Sequence, residues 1–242
     1  MSNYPNIREI IGNISILDLN LNKIEIKKLV SGKTNQSYLV KDDFKKYIIR
    51  LNSEKSNDYN IDRSRELKIL KAIQEISIGP KIIYYDTEYN FLITEFIEGV
   101  PLLPNNISNL DKKNLNDLIM KYQKIEIILP KFNYFQHLKK YENFISQNLV
   151  INKKLLKKLN NFYPYLNDFQ NQGWEPVLCH HDLISSNIIK SNNGLRIIDW
   201  EYSAYGHSNF DRCYSDFWEI KDSFFEEFFK ILDEMWVMIN KI

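Results

Sequence analysis

The chain has 242 residues, 44% hydrophobic and 26% charged, the balance of a folded globular protein rather than a disordered one. Its 32 Lys and Arg nearly cancel its 31 Asp and Glu, leaving a formal charge of +1, so the basic excess of a nucleic-acid binder is missing. Two well-separated cysteines, Cys179 and Cys213, argue against a disulfide scaffold or zinc cluster and suit a reducing cytoplasm.

The first residues lack the basic-then-apolar layout of a signal peptide, and no apolar run nears the ~18 residues of a membrane span. The expectation is a cytoplasmic protein with neither membrane nor nucleic-acid partner. Its oligomeric state is not legible in the sequence.

Along the chain, 24–30, 37–40 and 46–51 are short β-prone runs separated by turn-rich stretches. After a polar loop at 52–60, the stretch 61–76 spaces Leu67, Leu70, Ile73 and Ile76 on one helical face. Gly79-Pro80 ends it, and 81–85 and 91–96 are two further strands. Beyond Gly99 the character turns helical, with helices expected over 111–127, 135–149, 153–162 and from Cys213 to the end. The reading is an α+β chain with a β-rich lobe over 1–97 and a mainly α lobe over 98–242, the latter holding one β-hairpin.

That hairpin carries the strongest chemical signal. His180-His181-Asp182-Leu183-Ile184-Ser185-Ser186-Asn187 precedes two short strands joined through Ser191-Asn192-Asn193-Gly194, and Ile197-Ile198-Asp199 follows. The Asn-Gly pair suits a tight turn. Closing the hairpin makes Asn187 and Asp199 neighbours, with Asp182 one loop away. Such an oxygen-rich group suits Mg²⁺, which takes hard oxygen ligands and keeps sites for phosphates.

This spacing resembles the catalytic loop of the protein-kinase-like fold, an H-x-D-x-x-x-x-N run followed by a metal-binding Asp. The resemblance implies that Asp182 orients the substrate hydroxyl and takes its proton, that Asn187 and Asp199 hold metal, and that His180 is structural. The run Asp199-Trp200-Glu201-Tyr202-Ser203 is similar to the I-D-[FW]-E-Y-[SA] signature of choline and ethanolamine kinases and close to bacterial thiamine kinases. It lies within the wider aminoglycoside phosphotransferase and protein-kinase-like superfamily. In that family Asp211, in Phe210-Asp211, supports the catalytic loop.

The same resemblance extends to the first lobe. Ser31-Gly32-Lys33-Thr34-Asn35-Gln36-Ser37-Tyr38 looks like the phosphate loop of choline kinases, with Ser31, Thr34, Asn35 and Ser37 as ATP contacts. Arg50 would be the phosphate-binding cation and Glu66 its partner. The backbone of Glu95 and Ile97 would read the adenine. Two decoys drop out. Ser31-Gly32-Lys33-Thr34 lacks the Gly that a P-loop needs five residues before its last Gly, Lys27 standing there. His181-Asp182 lacks the further metal-binding histidines and helical bundle of an HD-type phosphohydrolase.

The implied activity is ATP- and Mg²⁺-dependent phosphorylation of the primary hydroxyl of a small cationic alcohol, choline or ethanolamine first. Thiamine, an aminoglycoside-type acceptor and a catalytically silent binding module stay as alternatives. A cationic substrate asks for aromatic faces and a carboxylate, and the expected wall is Glu201, Tyr214, Asp216, Trp218 and Glu219. Phe224, Phe225, Phe228, Phe229 and Trp236 are assigned instead to packing of the last helix.

Overall fold

The computed structural model describes residues 6–29, 34–219 and 222–241; Ser31 lies outside them. A five-stranded antiparallel sheet forms the first lobe, in the order β1 (Glu25–Lys28), β2 (Asn35–Lys41), β3 (Lys46–Asn52), β5 (Phe91–Glu95), β4 (Ile82–Tyr85). Its faces divide as a two-residue period requires. Tyr38, Ile49 and Ile93 pair across one face, and Ser37, Arg50 and Leu92 across the other.

The first face is covered by α1 (Ile7–Asn13), whose Ile7, Ile10 and Ile11 are buried with Val40, Ile49 and Ile93. This helix was not expected. Its Ile7, Ile10, Ile11 and Ile14 do follow the i, i+3, i+4, i+7 helical period, but over only seven helical residues, and the sheet face it seals lies far along the chain. The second face looks toward α2 (Arg63–Glu75), capped by the Asp62 carboxylate accepting from Arg65 N–H, with Leu67, Ile69, Leu70 and Ile73 buried.

The sheet ends at Glu95, and the chain then joins the second lobe as a two-residue strand. β6 (Val100–Pro101) pairs with β8 (Ile188–Ser191), which forms a hairpin with β9 (Gly194–Ile197). Asn192 and Asn193 make the turn, and Gly194, at φ +101°, opens the return strand. At the join, a Cβ on Gly99 would fall 2.5 Å from the Lys190 carbonyl oxygen and 2.7 Å from Ile189 Cγ2. Only glycine lets the crossover lie so close to the hairpin. Gly99→Ala is expected to cost about 1–3 kcal/mol of stability, read as a lower urea midpoint; an unchanged midpoint would contradict this account.

The second lobe packs α3 (Asn109–Tyr122), α4 (Tyr134–Asn148), α5 (Lys153–Asn171), α6 (Phe210–Tyr214) and α7 (Ser223–Ile239) around β7 (Val177–Cys179), itself paired with β10 (Ala204–Gly206). Helix α5 runs nine residues past its expected end at Phe162 and through Pro164. Proline forfeits one helical hydrogen bond, yet continuing the helix buries Leu166 and Phe169 alongside Leu155, Leu159 and Phe162. Burial of two large side chains outweighs one lost bond. The terminal helix expected from Cys213 is two helices, α6 and α7. Among the described residues, no helix is long and apolar enough to cross a membrane.

Candidate active site

His180, Asp182, Asn187 and Asp199 converge where the hairpin opens. Ile188 pairs with Ile197, and Ile198 N–H donates to the Asn187 carbonyl at 2.9 Å, so Asn187 and Asp199 flank the hairpin's open end. Asn187 Nδ2 donates to the Asp182 carbonyl oxygen at 2.9 Å and to its Oδ2 at 3.0 Å. The amide is thereby oriented, and its Oδ1 is the atom left for a cation. Asp199 sits at φ 64° and ψ 59° and leads into a 3₁₀ turn over Trp200–Tyr202, the left-handed geometry that Asp tolerates better than most residues.

The loop is braced from behind. Buried His180 donates from Nε2 to the Ile198 carbonyl at 2.9 Å and accepts the Asp182 N–H at Nδ1, 3.2 Å away. Burial pushes its pKa down to about 4, so it is a neutral bracket with a fixed tautomer. Fully buried Asp211 accepts from the N–H groups of His180 at 2.8 Å and His181 at 2.9 Å, and from Tyr122 Oη at 2.6 Å. That carboxylate holds the backbone on which Asp182 is mounted.

On the opposite wall, Arg50 forks Glu66. Nη1 lies 2.7 Å from Oε1 and Nη2 2.8 Å from Oε2, while Nε donates to Asn52 Oδ1 at 2.9 Å. Such a planar pairing fixes the guanidinium's aim, and Nη1 comes within 3.9 Å of Asp199 Oδ1. Between the walls lies a cavity of about 300 Å³ lined by Thr34, Ser37, Ile48, Arg50, Thr94, Ile97, Ile189, Ile198 and Asp199, among others. It is apolar toward the crossover and charged toward Asp199, the shape of a slot for a flat base with a phosphate tail. Glu95 borders it, but its carboxylate is held by Arg196 at 2.7 Å and Lys81 N–H at 3.0 Å. A larger, open cavity of about 600 Å³ near Asn57, Asp62 and Lys140 contains none of the hairpin residues.

Carboxylates crowd the mouth. Asp199 is two-fifths exposed, yet desolvation and the nearby Glu201 push its pKa up to about 7, with Arg50 pulling the other way. Desolvation, then the charge of Asp199, raise Asp182 well above the usual carboxylate range. Among the described residues, no three His, Cys, Asp or Glu side chains form a metal cage. Asp182, Asn187 and Asp199 make an open, oxygen-bearing half-site instead. The excess negative charge there suits Mg²⁺, which takes one or two protein oxygens and completes its shell with phosphate and water.

The residues expected to form the substrate wall do not assemble as expected. Glu201 is 2% exposed, with Oε1 accepting from Thr34 Oγ1 at 2.7 Å and Oε2 from Asn35 Nδ2 at 2.6 Å and Arg63 Nη1 at 2.9 Å. Both its oxygens are thus engaged within the protein, and it occupies side-chain donors of Thr34 and Asn35 that were expected to serve phosphate. Asp216 and Glu219 are exposed, and Trp218 packs on the cluster containing Phe217 and Trp200. Tyr214 lies near enough to Asp182 to feel its charge.

Other aromatic rings lie near Asp182. Tyr141 and Tyr202 both lie within the field of Asp182, and both meet Trp236, at ring distances of 6.1 and 6.4 Å. Tyr59 adds an edge 5.7 Å from the same indole, its carbonyl accepting from Tyr141 Oη at 3.1 Å. Asp233 stands one helical turn before Trp236 on α7, its pKa raised by partial burial. Trp236 had been assigned to helix packing. The signal that could have singled it out is its i,i+3 spacing from Asp233, which puts an acidic residue and an indole on one side of the helix.

Residues 26–228 match the family described as choline/ethanolamine kinase. Ethanolamine kinase 2 of Mus musculus is 26% identical over 204 residues, covering 78% of this chain and 52% of its own, so the chain spans about half the length of that relative. The LicA homolog of Mycoplasma capricolum is 23% identical over 228 residues, 89% of this chain and 84% of its own. Among solved structures, choline kinase LicA from Streptococcus pneumoniae superposes with a TM-score of 0.77 at 22% identity, over 96% of this chain and 88% of that one. That likeness establishes the two-lobed, kinase-like fold.

Proposed function

The chain belongs to the choline/ethanolamine kinase family, and from that premise we propose that it transfers the γ-phosphoryl group of ATP to the hydroxyl of a small cationic amino alcohol, ethanolamine or choline. The observation that carries this reading is that Asp182 lies within the field both of Asp199, which lines the cavity ending at Arg50, and of Tyr141 and Tyr202, whose rings meet Trp236. Residues 1–97 would carry the nucleotide and residues 98–242 the alcohol. ATP as donor fits a cytoplasmic enzyme.

Asp182 Oδ2 is engaged by Asn187, leaving Oδ1 to accept the hydroxyl proton. Its raised basicity suits that task. As the proton leaves, the alcohol oxygen forms a bond to the γ-phosphorus and the bond to the β-phosphate oxygen breaks, releasing ADP. Arg50, aimed by Glu66, would hold phosphate oxygens. Mg²⁺ bound at Asn187 and Asp199 would neutralise phosphate charge. Catalysis of this kind is mostly positioning and charge stabilisation.

The substrate's cationic end would rest on the rings around Trp236, with Asp233 offering countercharge. Cation–π contact is worth up to about 2 kcal/mol when desolvated, so Trp236→Leu should raise the KM for choline by about tenfold and leave the KM for ATP unchanged. A variant with parental KM for choline would remove the indole from the site. The reaction itself is tested by ADP release from Mg–ATP with ethanolamine, choline or thiamine in turn. Release driven by ethanolamine or choline supports the proposal. Release driven by thiamine alone, or none above the alcohol-free rate, overturns it.

A further inference from the structure

We infer that Arg63, which lines up with no expected site position, is a positioning residue that sets the affinity of the site for the metal–nucleotide complex by fixing two carboxylates at once. The inference rests on the proposed reading of the cleft as a Mg–ATP site.

Arg63 opens α2, and all three of its guanidinium nitrogens are engaged. Nη1 donates to Glu66 Oε2 and to Glu201 Oε2, each at 2.9 Å. Nη2 donates to Asn35 Oδ1 at 2.7 Å and Ser56 Oγ at 3.0 Å, and Nε to the same Ser56 hydroxyl at 3.2 Å. The side chain is 8% exposed, and its two carboxylate partners 3% and 2%. A surface arginine has no reason to be held so completely, and an ion pair buried this far must be fully satisfied to be tolerated.

The partners show what the arrangement controls. Glu66 is the residue that aims Arg50. Glu201 lies two residues after Asp199, at the centre of the 3₁₀ turn that begins there, and so fixes the turn that presents the metal-binding carboxylate. Asn35 opens β2 and belongs to the stretch expected to hold phosphate. Arg63 thus ties the phosphate cation, the metal carboxylate and the start of β2 into one frame while touching neither phosphate nor metal.

Charge points the same way. Arg50 and Arg63 face the three carboxylates Glu66, Asp199 and Glu201, a net deficit that one divalent cation reverses. Removing Arg63 leaves Glu66 and Glu201 near each other with less compensation. The turn carrying Asp199 then loses its fixed position, and the part of nucleotide affinity that depends on metal falls with it.

The test is equilibrium binding of ATP, with Mg²⁺ and with EDTA, to the full chain carrying Arg63→Met or Arg63→Lys. For Arg63→Met the affinity for Mg–ATP should fall by roughly 10- to 100-fold, the usual range for coupling between linked sites. The advantage of Mg–ATP over metal-free ATP should shrink toward none. Arg63→Lys keeps the charge but cannot span both carboxylates, so it should recover only part of that advantage.

A brace that merely stabilises the fold would weaken both forms of ATP alike, so a parental ratio overturns the inference. If Arg63→Met does not fold, Arg63→Lys decides alone, and a parental ratio in it is likewise fatal. Parent protein that binds Mg–ATP yet phosphorylates no amino alcohol would overturn the proposed reaction and leave Arg63's role standing. Parent protein that binds no Mg–ATP would overturn both.

Discussion

Asp182→Asn should lower turnover by about 10³-fold, within the span attributed to a positioned general base, while its affinity for Mg–ATP stays within about threefold of the parent. Asparagine preserves the shape, and its own Oδ1 can still accept the bond that Asn187 Nδ2 now gives to Oδ2 at 3.0 Å. The bracket behind it, from His180 and Asp211 to the loop backbone, does not involve the Asp182 carboxylate. What disappears is the proton acceptor alone. Single-turnover ADP formation with saturating alcohol is the clean measurement, since it isolates the chemical step from release of product. A rate within tenfold of the parent would remove Asp182 from the reaction.

Asp199→Asn should act on binding instead. With Asn187 the one metal ligand of the proposed pair left at the hairpin mouth, Mg–ATP-dependent turnover at subsaturating nucleotide should fall by roughly 10²- to 10³-fold, the several kcal/mol a metal supplies to phosphoryl charge. Raising Mg²⁺ should recover part of that loss, and an unaltered Mg²⁺ response would refute the assignment. Stability offers a second readout with a defined sign. The folded protein holds Asp199 near pKa 7 against 3.8 for the free side chain. The ligand-free native state is therefore penalised increasingly as pH rises from about 4 through 7. The variant escapes that penalty, so without nucleotide it should melt above the parent at pH 8, with the gain shrinking toward pH 4. A gain largest in acid would contradict the electrostatics.

The hairpin was legible because its information is local. Asp182, Asn187 and Asp199 lie within eighteen residues, and two short strands with an asparagine-rich turn dictate how they meet. Arg50 and Glu66 were legible because a strand followed by a capped helix leaves few places for that pair to go. Contacts that join distant segments were hidden. Glu201 pairs with Thr34, Asn35 and Arg63 across more than 130 positions, and no pattern of spacing distinguishes a carboxylate aimed at a ligand from one aimed at another lobe. Arg63 carried one faint sign, its i,i+3 relation to Glu66. The aromatic walls were hidden for a related reason. Tyr59, Tyr141, Tyr202 and Trp236 come from four separate segments, and α7 supplies both a core face through Phe225, Phe228 and Met235 and a wall through Trp236.

One of those walls stands apart from the others. Tyr59 rides on the segment between β3 and α2, whereas Tyr141, Tyr202 and Trp236 belong to the helical lobe. The Tyr59–Trp236 contact therefore spans the two parts of the chain, and separating them would break it. On the proposed reading, an alcohol held among these rings would bridge both lobes, and its grip on Tyr59 would help set how long product stays bound.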